Sequence, residues 1–368
     1  MEKIGIICEY NPFHNGHIYH INKIKEMYPN SLIILVLNGY FLERGEISVI
    51  SKYDKTKIAL TNKIDIVIEL PVLFGTQSAD TFAYYSVLIL NELKVNKIIF
   101  GSESNNIKML TKMAKESEDV KYNKKVKKYM DEGYNYPTAL AMSLKTKGNL
   151  LSNDLLGISY IKAINQINKN IIPITIQRTN NYLDTESTES IVSASNIRNK
   201  IKNEENIDNY LPQNAKEKLL KIDYDIYFKI LKSIIIKDNN LSNILDVDEG
   251  LEYRLLKEIK ETNNFDDFID KIKTKRYTYN RINRMLIHIL LGIKKEDASL
   301  PLDYINILGF NKKGKNYLNI LKKESKYKFT PDKSSKIYNY ELKAAIFYDL
   351  ITNNNAYHKE LETKPIIN

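Results

Sequence analysis

The chain contains a single cysteine, and this scarcity excludes two kinds of site. Cys8 has no second cysteine with which to form an intramolecular disulfide or a Cys-based zinc centre. It stands in an apolar run, where a lone cysteine is more typical of a small core residue than of a nucleophile. One cysteine also agrees with a reducing compartment, so we expect a cytoplasmic protein.

Long hydrophobic runs are missing as well. No stretch of about 18 apolar residues is present, so we expect no membrane partner. The first residues, MEKIGIICEY, have no basic n-region and favour a strand over a signal peptide. The 368 residues are 43% hydrophobic and 27% charged, which is typical of a globular protein with one large domain or two. No obligate protein partner is evident.

Acidic residues are outnumbered by basic ones, 45 to 55, which gives a net charge of +10. Lysine and arginine neutralise phosphates, so this balance favours a polyanionic partner such as nucleic acid. Lysine, asparagine, isoleucine and tyrosine are abundant throughout the chain, however, as in a generally biased composition. Charge alone therefore leaves the partner open.

Apolar runs without polar alternation predict strands that are covered on both faces of a parallel sheet. They are residues 3–9, 31–37, 64–70, 96–100 and 171–177. Amphipathic segments between them predict helices at 17–28, 51–62 and 78–94. This alternation predicts an α/β fold with a Rossmann-like, doubly wound parallel sheet.

The pattern changes after Pro212. Lys- and Glu-rich stretches with leucine and isoleucine at helical spacing predict a C-terminal, mainly α-helical domain without clear buried strands. We therefore predict an α/β domain over residues 1–204 and a helical domain over 205–368.

Polar or glycine-bearing segments follow all five predicted strands. They are EYNPFHNGH, NGYFLERGE, PVLFGTQSAD, GSES and RTNNY. The carboxyl ends of parallel strands meet at one edge of a sheet, which is where ligands bind in open α/β folds. Any one segment is also compatible with an ordinary loop, but together they predict one site.

Three of the five histidines follow the first strand, in NPFHNGHIYH. His14 and His17 are three residues apart and share a face where the helix begins. A helix start favours phosphate through its free N–H groups and its dipole, and Gly16 lets an anion approach the backbone. Two imidazoles there can stabilise pyrophosphate charge during attack at an α-phosphorus.

A structural histidine pair and a zinc pair are the alternatives for this segment. Zinc requires a third ligand, and His288 and His358 stand far along the chain in helical surroundings. His20 lies on the same face as His17 and is interpreted as a helix residue.

A second segment, VSASNIR at residues 192–198, can also form a phosphate-binding helix start. Ser193 or Ser195 can cap the helix, and Arg198 lies one turn further in, within reach of a phosphate. A serine-capped surface helix with an incidental arginine is the alternative.

These two segments resemble the HxGH and ISSTxIR signatures of the nucleotidylyltransferase superfamily, in the same order. Two motifs in order are more specific than either alone. Simple adenylyltransferases of the superfamily are shorter and usually have glycine and a small residue where this chain has Cys8 and Glu9.

Essentially the full length is similar to the bacterial tRNA(Met) cytidine acetate ligase family. The matching segments include GYFLERGE, SKYDKTKIAL, FGSES, SNDLLGISY, SASNIR and TKRYTYNRINRMLIHILLGI. The resemblance implies an enzyme that forms acetyl-adenylate from ATP and acetate. It then acetylates the wobble cytidine of elongator tRNA(Met), and N4-acetylcytidine, AMP and pyrophosphate are the products. Mg²⁺ is expected with ATP, although no carboxylate cage is recognisable.

The resemblance implies that domain 1–204 is the catalytic, ATP-binding domain, in which His14, His17 and Arg198 are catalytic. The ATP site that it implies, together with the two candidate capping serines, comprises Ile7, Cys8, Glu9, Tyr10, Asn11, Pro12, Phe13, His14, Asn15, Gly16, His17, Ile18, Tyr19, His20, Gly101, Asn153, Arg178, Ser193 and Ser195. No metal-ligating residue is predicted.

Residues 271–295 contain eight lysines or arginines, no acid, and two interleaved tyrosines. Cations track RNA phosphates and aromatic rings stack on unpaired bases, although a solvated helix face would have the same composition. Together with the family resemblance, this segment predicts tRNA contacts at Lys275, Arg276, Tyr277, Arg281 and Arg284.

Two other functions are compatible with these motifs: a small-molecule adenylyltransferase of the same superfamily, and a non-catalytic RNA-binding protein. Fold alone does not separate them. The sequence does not identify the acetate-binding residue. It also leaves open whether Glu9, Asn38 or Asp80 orients the attacking cytidine.

Overall fold

A computed structural model describes residues 1–134, 136–143, 151–178, 191–248, 250–274, 277–362 and 364–368, without the side chains of residues 136, 137 and 141. Its central sheet is built from seven strands in the order β5-β4-β1-β2-β3-β6-β7. The strands are β1 Lys3–Cys8, β2 Leu32–Asn38, β3 Ile66–Leu70, β4 Lys97–Ser102, β5 Ile172–Gln177, β6 Ile307–Phe310 and β7 Ile366–Ile367.

Helices cover both faces of the sheet and form most of the C-terminal half. They are α1 Asn15–Met27, α2 Lys52–Thr61, α3 Val72–Gly75, α4 Ala79–Glu92, α5 Ile107–Ser117, α6 Val120–Asp131, α7 Tyr136–Ser143, α8 Ser152–Ile167, α9 Ala194–Lys202, α10 Gln213–Lys216, α11 Tyr224–Lys237, α12 Leu251–Glu261, α13 Phe265–Ile272, α14 Tyr279–Leu291, α15 Lys312–Leu321, α16 Lys336–Thr352 and α17 Ala356–Glu362.

The first five strands are parallel and confirm the predicted Rossmann-like sheet. Each lies within two residues of its predicted bounds, because continuous apolar runs identify strands clearly; β1 to β4 are largely buried, whereas β5 is partly exposed at the sheet edge. β1 lies between β2 and β4, the point at which the chain changes direction across the sheet. In doubly wound folds, the crevice outside the strands at this point is where ligands bind.

The C-terminal half adds two strands to this sheet, so the expectation of no buried strand after residue 212 was wrong. β6 pairs antiparallel with β3, and β7 pairs with β6. β6 has only four residues and includes Gly309, so its sequence lacks the length that identifies a strand. A Cβ at Gly309 would lie 2.8 Å from Cγ2 of Thr56, so glycine permits the close packing of α2.

Apolar side chains from both halves join in one core, which extends from Ile4 on β1 to Ala356 on α17. The division of the chain at residue 204 remains a prediction. No described helix combines the length and the apolar character needed to cross a lipid bilayer.

A buried ionic cluster connects helices α16 and α17 to the central sheet. Lys52, at the start of α2, is fully buried and forms ion pairs with Glu69 of β3 and Glu360 of α17, the latter at 2.7 Å from Nζ. Glu341 of α16 lies 3.5 Å from the same ammonium group. We call these four residues the Lys52 cluster.

Candidate active site

A cleft of about 470 Å³ opens at the carboxyl ends of β1 and β4, where the sequence predicted a site. Fourteen of the predicted residues line it: Ile7, Cys8, Glu9, Tyr10, Asn11, His14, Gly16, His17, Tyr19, His20, Gly101, Asn153, Arg178 and Arg198. They come from positions as far apart in the chain as 7 and 198, so the fold brings the separate motifs to one place.

Six other predicted residues do not line the cleft: Pro12, Phe13, Asn15, Ile18, Ser193 and Ser195. Phe13 is fully buried and stacks at 5.5 Å on the ring of His17. Asn15 donates a hydrogen bond to the carbonyl of Asn209. The two motifs thus extend beyond the residues that line the cleft.

The hydrogen bonds of His14 and His17 define which nitrogen of each ring carries the proton. Nδ1 of His14 accepts the backbone N–H of Gly16 at 3.0 Å, and Nδ1 of His17 accepts the backbone N–H of His14 at 3.2 Å. A backbone N–H can only donate, so both Nδ1 atoms are unprotonated. The proton of each neutral ring is therefore on Nε2. These two bonds also cap α1, which explains why the helix begins at residue 15 and not 17.

Both rings are held in the neutral state. Burial, together with the nearby positive charges of Arg178 and Arg198, lowers the pKa of His14 to about 3. Burial lowers the pKa of His17 as well, and the adjacent His14 and Arg178 add to the effect. Two neutral N–H donors and two guanidinium groups in one cleft suit a polyphosphate, because the site adds hydrogen bonds to fixed positive charge.

His20 lies in the same part of the chain and also lines the cleft. Its Nε2 atom is buried and has no hydrogen-bond partner among the described residues. Burial and the charge of Arg178 lower its pKa to about 4. The ring lines the cleft, so the expectation that it is only a helix residue is incomplete.

The lowered histidine pKa values predict a loss of stability in mild acid. The pKa of a histidine is about 6.5 in the unfolded chain, so below that pH the unfolded state binds protons that the folded state does not. The free energy of unfolding should therefore fall as the pH is lowered from 6.5 towards 4. Urea unfolding across this range measures the decline.

His14→Asn keeps a side-chain cap for α1 but removes one of the depressed pKa values. Its free energy of unfolding should therefore decline less steeply with acid than that of the wild type. An NMR titration of the His14 ring with a midpoint near pH 6.5 would contradict the neutral assignment.

The second motif is held against the first by Arg198. Its Nη1 donates to the carbonyl of Asn11 at 2.8 Å, and Nη2 donates to Glu46 at 2.7 Å. Ser193 caps α9 by accepting the N–H of Asn196, as the sequence predicted for one of the two serines. Ser195 instead accepts a longer hydrogen bond from Arg198. The guanidinium thus lies beside the His14 helix start.

Glu103 holds Asn153 and Arg178 close together at the cleft, and the sequence reasoning did not select it. Its carboxylate accepts the Nδ2 of Asn153 at 2.5 Å and the backbone N–H of Asp154 at 3.0 Å, and so caps α8. Arg178 lies 3.9 Å from the same carboxylate. A Cβ at Gly101 would meet the Arg178 side chain at 3.3 Å, so this glycine keeps the cleft open there.

The loop after β2 contributes three more residues that sequence reasoning missed. Glu43, Arg44 and Glu46 all line the cleft. Burial raises the pKa of Glu43, whose carboxylate lies 3.3 Å from Nη1 of Arg284 on α14. The segment GYFLERGE was noted as a polar strand end, but its charges could have identified these residues only with knowledge of the fold.

The residues predicted to bind tRNA lie partly in the structure and partly outside it. Lys275 and Arg276 fall outside the described residues. Tyr277 is only 5% exposed and lies beneath the guanidinium of Arg281, so its ring is not available for stacking in this structure. Arg281 also pairs with Asp248 at 3.2 Å, and Arg284 pairs with Glu43.

Helix α14 nevertheless forms part of the rim of the cleft. Asn280, in its first turn, lines the cleft, and the neighbouring Tyr279 is 46% exposed. Gly45 packs against the helix backbone so closely that a Cβ would lie 2.2 Å from the nitrogen of Arg284. The basic segment and the cleft are therefore adjacent.

The cleft offers no preformed carboxylate cage for a metal ion among the residues that the structure describes. Glu46 is paired with Arg198 and Glu43 with Arg284. The one described group of three acidic residues with metal-ligand spacing is Glu69, Glu341 and Glu360, which surrounds Lys52 instead. Magnesium usually binds through one or two carboxylates and substrate phosphates. The residues of the cleft therefore fit a magnesium ion that is held chiefly by the phosphates of a bound nucleotide.

Comparison with known proteins identifies the family of this chain. Residues 1–364 match the model described as HIGH Nucleotidyl Transferase. The tRNA(Met) cytidine acetate ligase of Caldicellulosiruptor saccharolyticus is 38% identical over 347 residues, which cover 89% of this chain and 86% of that protein. The protein of the same name from Clostridium tetani is 33% identical over the full length of both chains.

Solved structures agree with the sequence comparison. The crystal structure of Thermotoga maritima TmcAL in its apo form has a TM-score of 0.89 and 29% identity over 100% of this chain and 99% of that one. A second structure of that protein, bound with alpha-thio ATP, has a TM-score of 0.86, 28% identity and the same coverage. The chain belongs to the HIGH nucleotidyl transferase family and, within it, to the family of the tRNA(Met) cytidine acetate ligases.

Proposed function

We propose that the protein is an ATP-dependent ligase that activates acetate and acetylates the wobble cytidine of elongator tRNA(Met). The observation that carries the proposal is the neutral His14 and His17 pair at the start of α1, with Arg178 and Arg198 beside it in one cleft. The family to which the chain belongs supports the choice of substrates.

In the first step, an acetate oxygen attacks the α-phosphorus of ATP. A new P–O bond forms, the bond to the pyrophosphate oxygen breaks, and acetyl-adenylate and pyrophosphate result. The Nε2–H groups of His14 and His17 donate to the phosphate oxygens as their charge increases, and Arg198 adds fixed positive charge. Donors that are in place before the reaction stabilise the transition state without reorganisation. Mg²⁺ is expected to accompany the triphosphate and to neutralise part of its charge.

In the second step, the exocyclic N4 of cytidine attacks the acetyl carbonyl carbon. A C–N bond forms, the C–O bond to AMP breaks, and N4 loses one proton. AMP is the leaving group. It departs from the acetyl carbon as an anion, with its phosphate in the part of the cleft that binds phosphate. The protein is thus required to hold a nucleotide and an RNA base in one cavity.

The RNA is proposed to approach across α14. The start of this helix reaches the cleft at Asn280, and Tyr279 is exposed there for a base to stack on. Arg281 and Arg284 are proposed as tRNA contacts that exchange their carboxylate partners for phosphates. Lys275 and Arg276 are proposed on the basis of sequence alone. A cytoplasmic location, where charged tRNAs are used, is part of the proposal.

The function is tested by incubating the protein with ATP, radiolabelled acetate and total tRNA, and then digesting the RNA to nucleosides. We expect label in N4-acetylcytidine, dependent on ATP, and a matching release of AMP and pyrophosphate. Absence of label from the RNA, together with acetate-independent transfer of AMP to a metabolite, would overturn the proposal in favour of a small-molecule adenylyltransferase.

A further inference from the structure

Three polar residues near the ends of the first strands are candidates to act on the attacking cytidine: Glu9, Asn38 and Asp80. The structure separates them by position. Asp80 is outside the cleft wall, where its carboxylate binds Lys162 at 2.7 Å and Ser159 at 2.6 Å. Asp80 therefore stabilises the packing of α4 against α8.

Asn38 is buried and has its own hydrogen-bond partners. Its Nδ2 donates to Glu9 at 3.1 Å and to the carbonyl of Gly75 at 3.0 Å, and its Oδ1 accepts the N–H of Gly39. The amide lies below the cleft floor, and what it holds in place is the carboxylate of Glu9.

Glu9 lines the cleft, and only one of its two carboxylate oxygens is used by the protein. Oε1 accepts both the Asn38 amide and the backbone N–H of Glu43, the latter at 2.7 Å. Oε2 has no hydrogen-bond or ion-pair partner among the described residues. A carboxylate that is fixed through one oxygen and has the other available is oriented to accept a hydrogen bond from a ligand.

The backbone of Glu9 is fixed as firmly as its side chain. The buried ammonium group of Lys55 donates to the carbonyls of Glu9, Asn38 and Gly39, at 3.0, 2.7 and 2.7 Å respectively. This lysine joins the ends of β1 and β2 directly beneath the carboxylate. Such support holds a reacting group in a fixed position, which is what general base catalysis requires.

Charge indicates which substrate the carboxylate serves. A carboxylate beside a polyphosphate would repel it, and the phosphate side of the cleft is already formed by His14, His17, Arg178 and Arg198. A cytidine amine, in contrast, has two N–H groups and must lose a proton during the reaction. Glu9 therefore complements the base, in addition to the place in the ATP site that the family resemblance implies for it.

We propose that Glu9 is the catalytic residue that accepts the proton of cytidine N4 in the acetyl-transfer step. As N4 attacks the acetyl carbonyl of acetyl-adenylate, the C–N bond forms and the C–O bond to AMP breaks. The N4 proton passes to Oε2 of Glu9 and is afterwards released to solvent. This role rests on the proposed function and assigns the second half-reaction to a different residue from the first.

The test compares Glu9→Gln with the wild type in each half-reaction separately. Gln keeps an Oε1 that can accept from Asn38 and Glu43, so we expect the fold to be retained. Transfer from synthetic acetyl-adenylate to tRNA should fall by about 10²-fold or more, and this loss should exceed any loss of acetate-dependent pyrophosphate exchange into ATP by at least about tenfold. Glu9→Asp, which keeps a carboxylate, should transfer at least about tenfold faster than Glu9→Gln.

Asp80→Asn is the matched control, because it removes a carboxylate outside the cleft, and its transfer rate should be close to that of the wild type. Transfer by Glu9→Gln within about three-fold of the wild type would overturn the proposal, because a general base contributes far more. An equal loss of exchange and transfer would also overturn it. If the wild type itself acetylates no tRNA, the proposed function is wrong. This outcome is distinct from failure of the Glu9 proposal, because it is measured on the wild type and not on the Glu9 variants.

Discussion

Replacing His17 with alanine is expected to lower the rate of acetyl-adenylate formation by about 10² to 10³-fold. The ring lines the cleft, and its Nε2 carries the proton because Nδ1 accepts the backbone N–H of His14. Alanine removes a donor that acts when charge moves onto pyrophosphate. Replacing His14 by asparagine should give a loss of similar size, since asparagine can cap α1 but does not supply the Nε2–H group.

Acetate-dependent pyrophosphate exchange measures this step, and tRNA binding is measured in parallel. His358→Ala is the control, because that histidine is exposed on α17 and does not line the cleft. We expect it to leave both activities unchanged. A His17→Ala protein that loses tRNA binding but still forms the adenylate would show that the two sites are wrongly assigned.

Replacing Lys52 with methionine is expected to reduce the free energy of unfolding by about 3–5 kcal/mol, because it leaves buried carboxylates without their cation. The ammonium group is fully buried and is paired with Glu69 and Glu360. The substitution should also loosen α17, which carries Glu360, from the sheet. Urea unfolding at neutral pH measures the loss.

The pH dependence of this difference identifies its cause. Burial and the neighbouring glutamates already raise the pKa of Glu341 well above its usual value, and the pKa of Glu360 is raised by burial. Without Lys52 these values rise further, so the folded variant binds protons that the unfolded chain does not. The difference in free energy of unfolding between wild type and variant should therefore narrow as the pH falls from 7 to 5.

Lys57→Met on the same helix is the control. Lys57 is exposed, with an Asp54 partner only at 4.0 Å, and its loss should change the free energy of unfolding by less than about 1 kcal/mol. If the Lys52→Met and Lys57→Met proteins had the same free energy of unfolding, the ion pairs of the Lys52 cluster would contribute no more stability than the apolar packing of methionine.

Much of the sheet was predictable because its evidence is local. The runs that form β1 to β5 are apolar on both faces, and each is followed by a polar segment, so both strand positions and the ligand edge follow from the sequence. β6 was missed for the converse reason, since four residues with a glycine contain too little pattern. Its position is determined by pairing with β3, which lies more than 200 residues earlier.

The residues of the site also differ in how far the sequence predicts them, and for the same reason. His14, His17 and Arg198 belong to motifs of a few residues, which can be recognised without a fold. Glu46 and Glu103 do not, because each acquires its importance from a partner elsewhere in the chain: Arg198 for Glu46 and Asn153 for Glu103. Burial is a further property that the sequence did not indicate, since Tyr277 is one of the interleaved rings and yet lies under Arg281.

The most direct test of the central claim, that this cleft joins AMP to acetate, is exchange of labelled pyrophosphate into ATP in the absence of RNA. Exchange that requires acetate, and that is lost in His17→Ala but kept in His358→Ala, is the predicted result. Exchange at the same rate without acetate, or undiminished exchange in His17→Ala, would contradict it.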